Sequence, residues 1–211
     1  MHVPDGFLSP EITIPSYVVA APLFVLAARR HFGARAVDAL PVMGSLTALA
    51  LAVQTIRIPV PGSTSTHLVG MALLALATHP LVAFVCEGLV LVLQALFFGA
   101  GGVTVLAVNA LAMGLLGPGA GWLLFRALRG RAGEGPASFA AAWLATQVSS
   151  LSIALVLGLQ HEISAVHFPV SFQVVLASTM VPSVLVTGVI EGAYTFAALA
   201  LLRKARLHVA P

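Results

Sequence analysis

Residues 81–98 read LVAFVCEGLVLVLQALFF, a continuous apolar run with a single charged side chain, Glu87. A helix needs roughly 20 such residues to cross the ~30 Å hydrocarbon core of a bilayer. Lipid offers backbone polar groups no partners, so a spanning segment is either a helix or one strand of a closed barrel. Barrel strands alternate apolar and polar side chains, and this run does not alternate. It predicts a transmembrane helix.

Working outward, residues 12–28, 37–56 and 67–78 precede it as further apolar segments, and 103–128, 136–159 and 172–202 follow. The expected fold is an all-α integral membrane protein of about seven transmembrane helices. It forms a single transmembrane domain over residues 1–211, with an extracytoplasmic N-terminal segment (1–11), a helix bundle (12–203) and a cytoplasmic tail (204–211). The third segment is short, and His79-Pro80 separates it from the fourth, which suggests a tilted or partly re-entrant helix. GAGG at 99–102 marks the next turn. GRAGEG at 130–135 reads as the one flexible loop, dividing a five-helix part from a two-helix part. Composition agrees with lipid as the solvent: 59% of residues are apolar and 8% charged, whereas about a quarter of an ordinary soluble domain is charged.

Basic residues set the expected orientation. Arg29, Arg30 and Arg35, then Arg126, Arg129 and Arg131, then Arg203, Lys204 and Arg206 all fall on one side of a seven-helix topology, and Arg57 alone falls on the other. Cytoplasmic loops collect Lys and Arg, so the N-terminus is expected outside and the C-terminus in the cytoplasm. The sequence pI near 9.8 then records topology, and no nucleic-acid partner is expected. Cys86, the single cysteine, excludes an intrachain disulfide and reads as a packing residue. The opening MHVPDGFLSPEITIP lacks the basic start and small-residue cleavage site of a signal peptide. It is expected to stay attached, with Met1 as the terminus on the outer side and Pro4, Gly6 and Pro10 shaping a loop.

His2 is the most informative residue. A terminal amine, the following amide nitrogen and the imidazole of residue 2 can chelate one ion through fused rings, which places Met1 and His2 together as candidate ligands. Nickel and copper accept such planar nitrogen fields. One position stays open, and His67 in the stretch PGSTSTHLVG is the candidate to close it, since that loop returns to the outer face. Ser63, Thr64, Ser65 and Thr66 precede it as residues able to orient its ring. His31 and His208 lie in basic flanks and read as solvated, and His79 precedes a helix break. His161 and His167, in HEISAVHFP, stand six apart, whereas a zinc-protease helix needs four. Glu87 and Glu191 lie inside apolar segments and read as helix-pairing or subunit contacts. Lys204 is the only lysine and follows Arg203, so the Gly-Lys-Ser/Thr of a phosphate-binding loop is absent. No enzymatic activity is expected, and ATP hydrolysis would have to come from separate subunits. An intramembrane metal-dependent hydrolase using His161, Glu162 and His167, and a passive membrane channel, remain as alternatives.

The blocks MHVPDGFLSP, GSTSTHLVG and QALFFGAGGVTVLAVNALAMG resemble the CbiM/NikM family along the length of the chain. These are the substrate-binding, or S, components of energy-coupling-factor importers for cobalt and nickel. The resemblance implies an S-component-like bundle whose N-terminal segment folds into an outer-face metal site. It implies Met1, His2 and His67 as the metal-binding residues, with Asp5 and Asn109 fixing loops around them. It also implies Ni²⁺ or Co²⁺ as the transported substrate, and as partners a transmembrane coupling subunit, two cytoplasmic ATPases and a small accessory membrane protein. The setting is the cytoplasmic membrane of a bacterium or archaeon. Ala100 and Ala112 depart from the family pattern. Reorientation in the membrane is a further implication, for which Ala20, Ala21, Ala27 and Ala28 offer a smooth helix face.

Overall fold

The computed structural model describes residues 2–32, 39–60 and 64–205, with backbone alone for 57–60 and 64–66. Met1, Arg35, Ser63, Arg206 and His208 lie outside the described residues, as do the side chains of Thr64, Ser65 and Thr66. The helices are α1 (Pro10–His31), α2 (Leu40–Thr55), α3 (Met71–Ala77), α4 (Pro80–Phe98), α5 (Leu106–Ala132), α6 (Glu134–Ile163) and α7 (Phe172–Lys204). Five of them, all but α2 and α3, are long and apolar enough to cross a membrane. Between α2 and α3 the chain forms an antiparallel hairpin of β1 (Arg57–Val60) and β2 (Thr64–His67), with Arg57 opposite His67 and Pro59 opposite Ser65.

Helix starts follow the prolines. Pro10 and Pro80 open α1 and α4, where a missing N–H costs nothing. His79 caps α4, its Nδ1 accepting from the Leu81 N–H at 3.1 Å. Three of the helices contain π-helical turns: Gln94–Phe98 in α4, Ala110–Leu116 in α5 and Ser183–Thr187 in α7. Such turns frequently lie near functional sites.

The core is organised around α6, which is gripped by small residues from both sides. On α5, a Cβ at Gly117 would lie 2.6 Å from the Ala145 carbonyl, and one at Gly121 would lie 2.6 Å from that of Ala141. On α7, a Cβ at Gly188 would lie 2.5 Å from Gln147 Nε2, and one at Gly192 would lie 2.9 Å from the Phe139 ring. Each pair is spaced four apart, the pattern that lets helices approach closely in lipid. Ser149 Oγ donates to the Ala112 carbonyl at 3.0 Å and Ser150 Oγ to Ser183 Oγ at 2.9 Å, so these two hydroxyls of α6 are satisfied across the same seams. Val18, Leu123, Leu185 and Leu201 project outward, the lipid-facing surface that a membrane bundle requires.

The third segment is short, as expected: α3 is enclosed by α2, α4, α5, α6 and α7, and Met71 to Ala75 are all buried. The GRAGEG stretch is no divider, because α5 runs to Ala132 and α6 begins at Glu134, with only Gly133 (φ +78°) between them. Ala20 and Ala27 pack inside the bundle on the side where Phe24 fills the space above Gly88 of α4. Of the four alanines expected to give a smooth face, these two are therefore covered, while Ala21 is exposed and Ala28 half-buried.

Candidate metal centre

The N-terminal segment is pinned to the bundle at three places. The Asn109 side-chain amide accepts from the Val3 N–H at 3.0 Å and donates to the Val3 carbonyl at 3.1 Å. Asp5 accepts from the Val103 and Thr104 amides at 3.1 and 2.9 Å and from the Thr104 hydroxyl at 2.6 Å. Gln160 Oε1 accepts from the Ser9 N–H at 2.7 Å. Tyr17 adds a hydrogen bond to the Val103 carbonyl. The loop 99–102 must be glycine-rich for two reasons. Gly101 has a φ of +74°, and a Cβ at Gly102 would overlap the Asp5 carboxylate.

This pinning lays His2 against His67. Their ring centroids are 4.5 Å apart with planes inclined by 19°, although 64 residues separate them in the chain. Gly101 backs His2, where a Cβ would stand 3.7 Å from the His2 Cβ. His67 ends β2 and is buried. Its Nδ1 is 2.8 Å from the Leu68 carbonyl. A carbonyl can only accept, so Nδ1 carries the proton and Nε2 presents the lone pair. This is the arrangement that fixes the tautomer of metal-ligating imidazoles.

Beneath His67 lies a buried polar network. Glu191 of α7 accepts from the amides of Val69 and Gly70. Gln54 of α2 donates to the Val69 carbonyl and to Glu87, and Gln94 donates to Gln54. Glu87 and Glu191 were expected to make helix-pairing or subunit contacts. Glu87 does pair helices, joining α4 to Gln54 of α2, whereas Glu191 ties α7 to the turn that follows His67. No sequence pattern announces this, because the partners are backbone groups and residues 33 to 122 positions away.

The other candidates fall elsewhere. His161 Nδ1 lies 3.0 Å from the Phe168 carbonyl, and His167 Nδ1 lies 2.9 Å from Ser164 Oγ, so both rings serve the turn between α6 and α7. His31, expected to be solvated, stacks on His79 with centroids 4.6 Å apart. His79 also meets Trp122, over which Arg126 sits at 4.6 Å. This cluster lies at the opposite end of the bundle from His2. Burial, followed by the charges of His31 and Arg30, holds the His79 imidazole below its usual range. Among the described residues, no three His, Cys, Asp or Glu side chains converge on one point.

The profile of the family described as CbiM, cobalt uptake substrate-specific transmembrane region, matches residues 2–209. The chain is similar to a cobalt transport protein, CbiM, of Geobacter sulfurreducens, with 34% identity over 98% of this chain and 60% of that protein. It is also similar to a probable fused nickel transport protein of Lactiplantibacillus plantarum, with 29% identity over 92% of this chain and 62% of that protein. It thus spans about three fifths of the length of these two relatives. Among solved structures, a truncated transition metal transporter aligns with a TM-score of 0.90 at 27% identity, over 97% of this chain and 99% of the other. A multi-pass helical bundle of this shape, matched by the family profile over nearly all its length, belongs to the CbiM/NikM family of metal transport proteins.

Proposed function

We propose that the chain is the substrate-capturing subunit of an energy-coupling-factor importer and takes up Ni²⁺ or Co²⁺ at its outer face. The ion is held by the Met1 α-amine, the His2 amide nitrogen, the His2 imidazole and the His67 imidazole. The observation that carries this reading is the placement of the His2 ring against the His67 ring, 4.5 Å centre to centre. Asp5 and Asn109 hold the N-terminal segment in place, and Ser65 belongs to the strand that delivers His67. Nitrogen donors suit late first-row divalent ions.

Uphill import needs energy that this chain has no phosphate-binding loop to harvest. A transmembrane coupling subunit and two cytoplasmic ATPases supply it, with a small accessory membrane protein as a further partner. The setting is the cytoplasmic membrane of a bacterium or archaeon. Arg126, Arg129, Arg203 and Lys204 gather at the end of the bundle away from His2, so the positive-inside tendency puts the N-terminus outside and the C-terminus in the cytoplasm. Residues 1–211 act as one transmembrane domain.

The test is to add a single alanine before Met1 and titrate the purified protein with Ni²⁺ and Co²⁺ by calorimetry. Tight binding is expected to disappear, as it is in His67→Ala, while His161→Ala binds normally. Unchanged affinity in the extended protein would remove the terminal amine from the site.

A further inference from the structure

Glu191 reaches across the bundle to the chain that carries His67. Its Oε2 accepts from the Val69 N–H at 2.9 Å and its Oε1 from the Gly70 N–H at 2.7 Å. Both amides belong to the turn between His67 and the start of α3 at Met71. The carboxylate is 2% exposed and stands between Gly188 and Gly192, the residues that let α7 close on α6. The Val69 carbonyl is held separately by Gln54 Nε2 at 2.8 Å. Val69 therefore has both its backbone groups bound by side chains, one from α7 and one from α2. Gly70 adopts a φ of +74°, and a Cβ there would press on Ala50 and Val53 at 3.2 Å.

A buried carboxylate is costly in a membrane bundle unless it meets a matched set of donors. Two adjacent amides presented to its two oxygens are such a set. Both hydrogen bonds of Glu191 go to this turn and not to a neighbouring helix. The hold is specific to the turn after His67.

We infer that Glu191 is a positioning residue for metal capture: by gripping the Val69 and Gly70 amides it sets the direction of the His67 imidazole toward the ion. This rests on the reading of His67 as a ligand.

The experiment compares the wild-type chain with Glu191→Gln, Glu191→Asp and His67→Ala, each purified in detergent. Affinity for Ni²⁺ is measured by calorimetry, and the visible absorption spectrum of the nickel-loaded protein is recorded. Gln offers one acceptor and turns an NH₂ group against the second amide. Asp keeps the charge but is one methylene too short to reach both. Both variants are expected to bind about 10–100-fold more weakly, the range for residues that orient metal ligands, with spectra displaced toward that of His67→Ala. Wild-type affinity in Glu191→Gln overturns the inference. So does weakened binding with an unaltered spectrum, because the fold would then have suffered and not the ring placement. Full affinity in Glu191→Asp overturns it as well, since charge alone would be sufficient. A His67→Ala protein identical to wild type in both readouts is a different failure, because it removes the ligand and not its support.

Discussion

Asn109, inside α5, binds both backbone groups of Val3, accepting from its N–H at 3.0 Å and donating to its carbonyl at 3.1 Å. A single side-chain amide thus takes the place of a neighbouring strand and fixes the residue next to His2. Val3 is 1% exposed, so neither of its groups can turn to water when Asn109 is removed. A buried polar group left unmatched costs about 1–3 kcal/mol. Asn109→Ala is expected to weaken Ni²⁺ binding by at least about tenfold in calorimetric titration, while the helical circular dichroism stays unchanged. Wild-type affinity in this variant would mean that the N-terminal segment is held by other contacts.

Asp5 and Gly102 form a pair that a double-mutant cycle can test. Asp5→Ala removes three accepted hydrogen bonds, and Gly102→Ala places a methyl group where the Asp5 carboxylate lies. Each is expected to weaken metal binding. Because they disturb one contact, the double variant should bind no worse than Asp5→Ala alone. Additive losses would show that Gly102 acts elsewhere.

His79 yields a stability prediction with a definite sign. Its Nδ1 caps α4 only while the ring is neutral, and burial holds the folded imidazole below its usual range. Unfolded histidine, near pH 6.5, takes up protons that the folded ring refuses, so stability rises with pH across that interval. The contribution is complete above about pH 6.5 and declines as pH falls toward the folded value. His79→Asn retains a capping oxygen without a titrating ring. Its thermal midpoint in detergent is expected to fall less than that of wild type between pH 7.5 and about pH 5, and equal slopes would contradict this.

The seam around α6 predicts the cost of enlarging its glycines. Gly121→Val forces a side chain into the Ala141 carbonyl and the Ala145 methyl, and overpacking of this kind costs about 1–3 kcal/mol. Gly119→Val meets nothing within 4 Å, so beyond the general cost of β-branching it should be neutral. Thermal unfolding of the two variants side by side separates packing from helix propensity.

The hydropathy of residues 81–98 was sufficient to read the bundle, because a lipid solvent leaves the backbone so few options. The seven apolar segments correspond to the seven helices found among the described residues. The hairpin was hidden because β1 and β2 are four residues each, too short for a periodic signal. The burial of α3 was hidden because a helix enclosed on every side is as apolar as one that spans. His2 and His67 stood out by their chemistry, Asp5 and Asn109 through the family motif. The remaining support was illegible for a physical reason. Glu191 binds backbone amides, and every residue but proline has one, so nothing in the sequence marks Val69 and Gly70 as its targets. The stacking of His31 on His79 likewise joins residues 48 positions apart that share no motif.

Proton competition gives a further expectation for the site. Nitrogen ligands must shed their protons to bind a metal, so Ni²⁺ affinity should fall steadily from neutral to acid pH, with protons released on binding. Calorimetry in buffers of different ionisation enthalpy counts those protons. Affinity independent of pH would argue for oxygen ligands.

X-ray absorption at the nickel edge reads the donor set directly, on wild-type protein and on His67→Ala held at nickel concentrations high enough to fill the weakened site. The proposal gives a shell of nitrogen donors with the scattering signature of two imidazoles, reduced to one in the variant. An oxygen-rich shell, or a shell unaltered by the loss of His67, would contradict it.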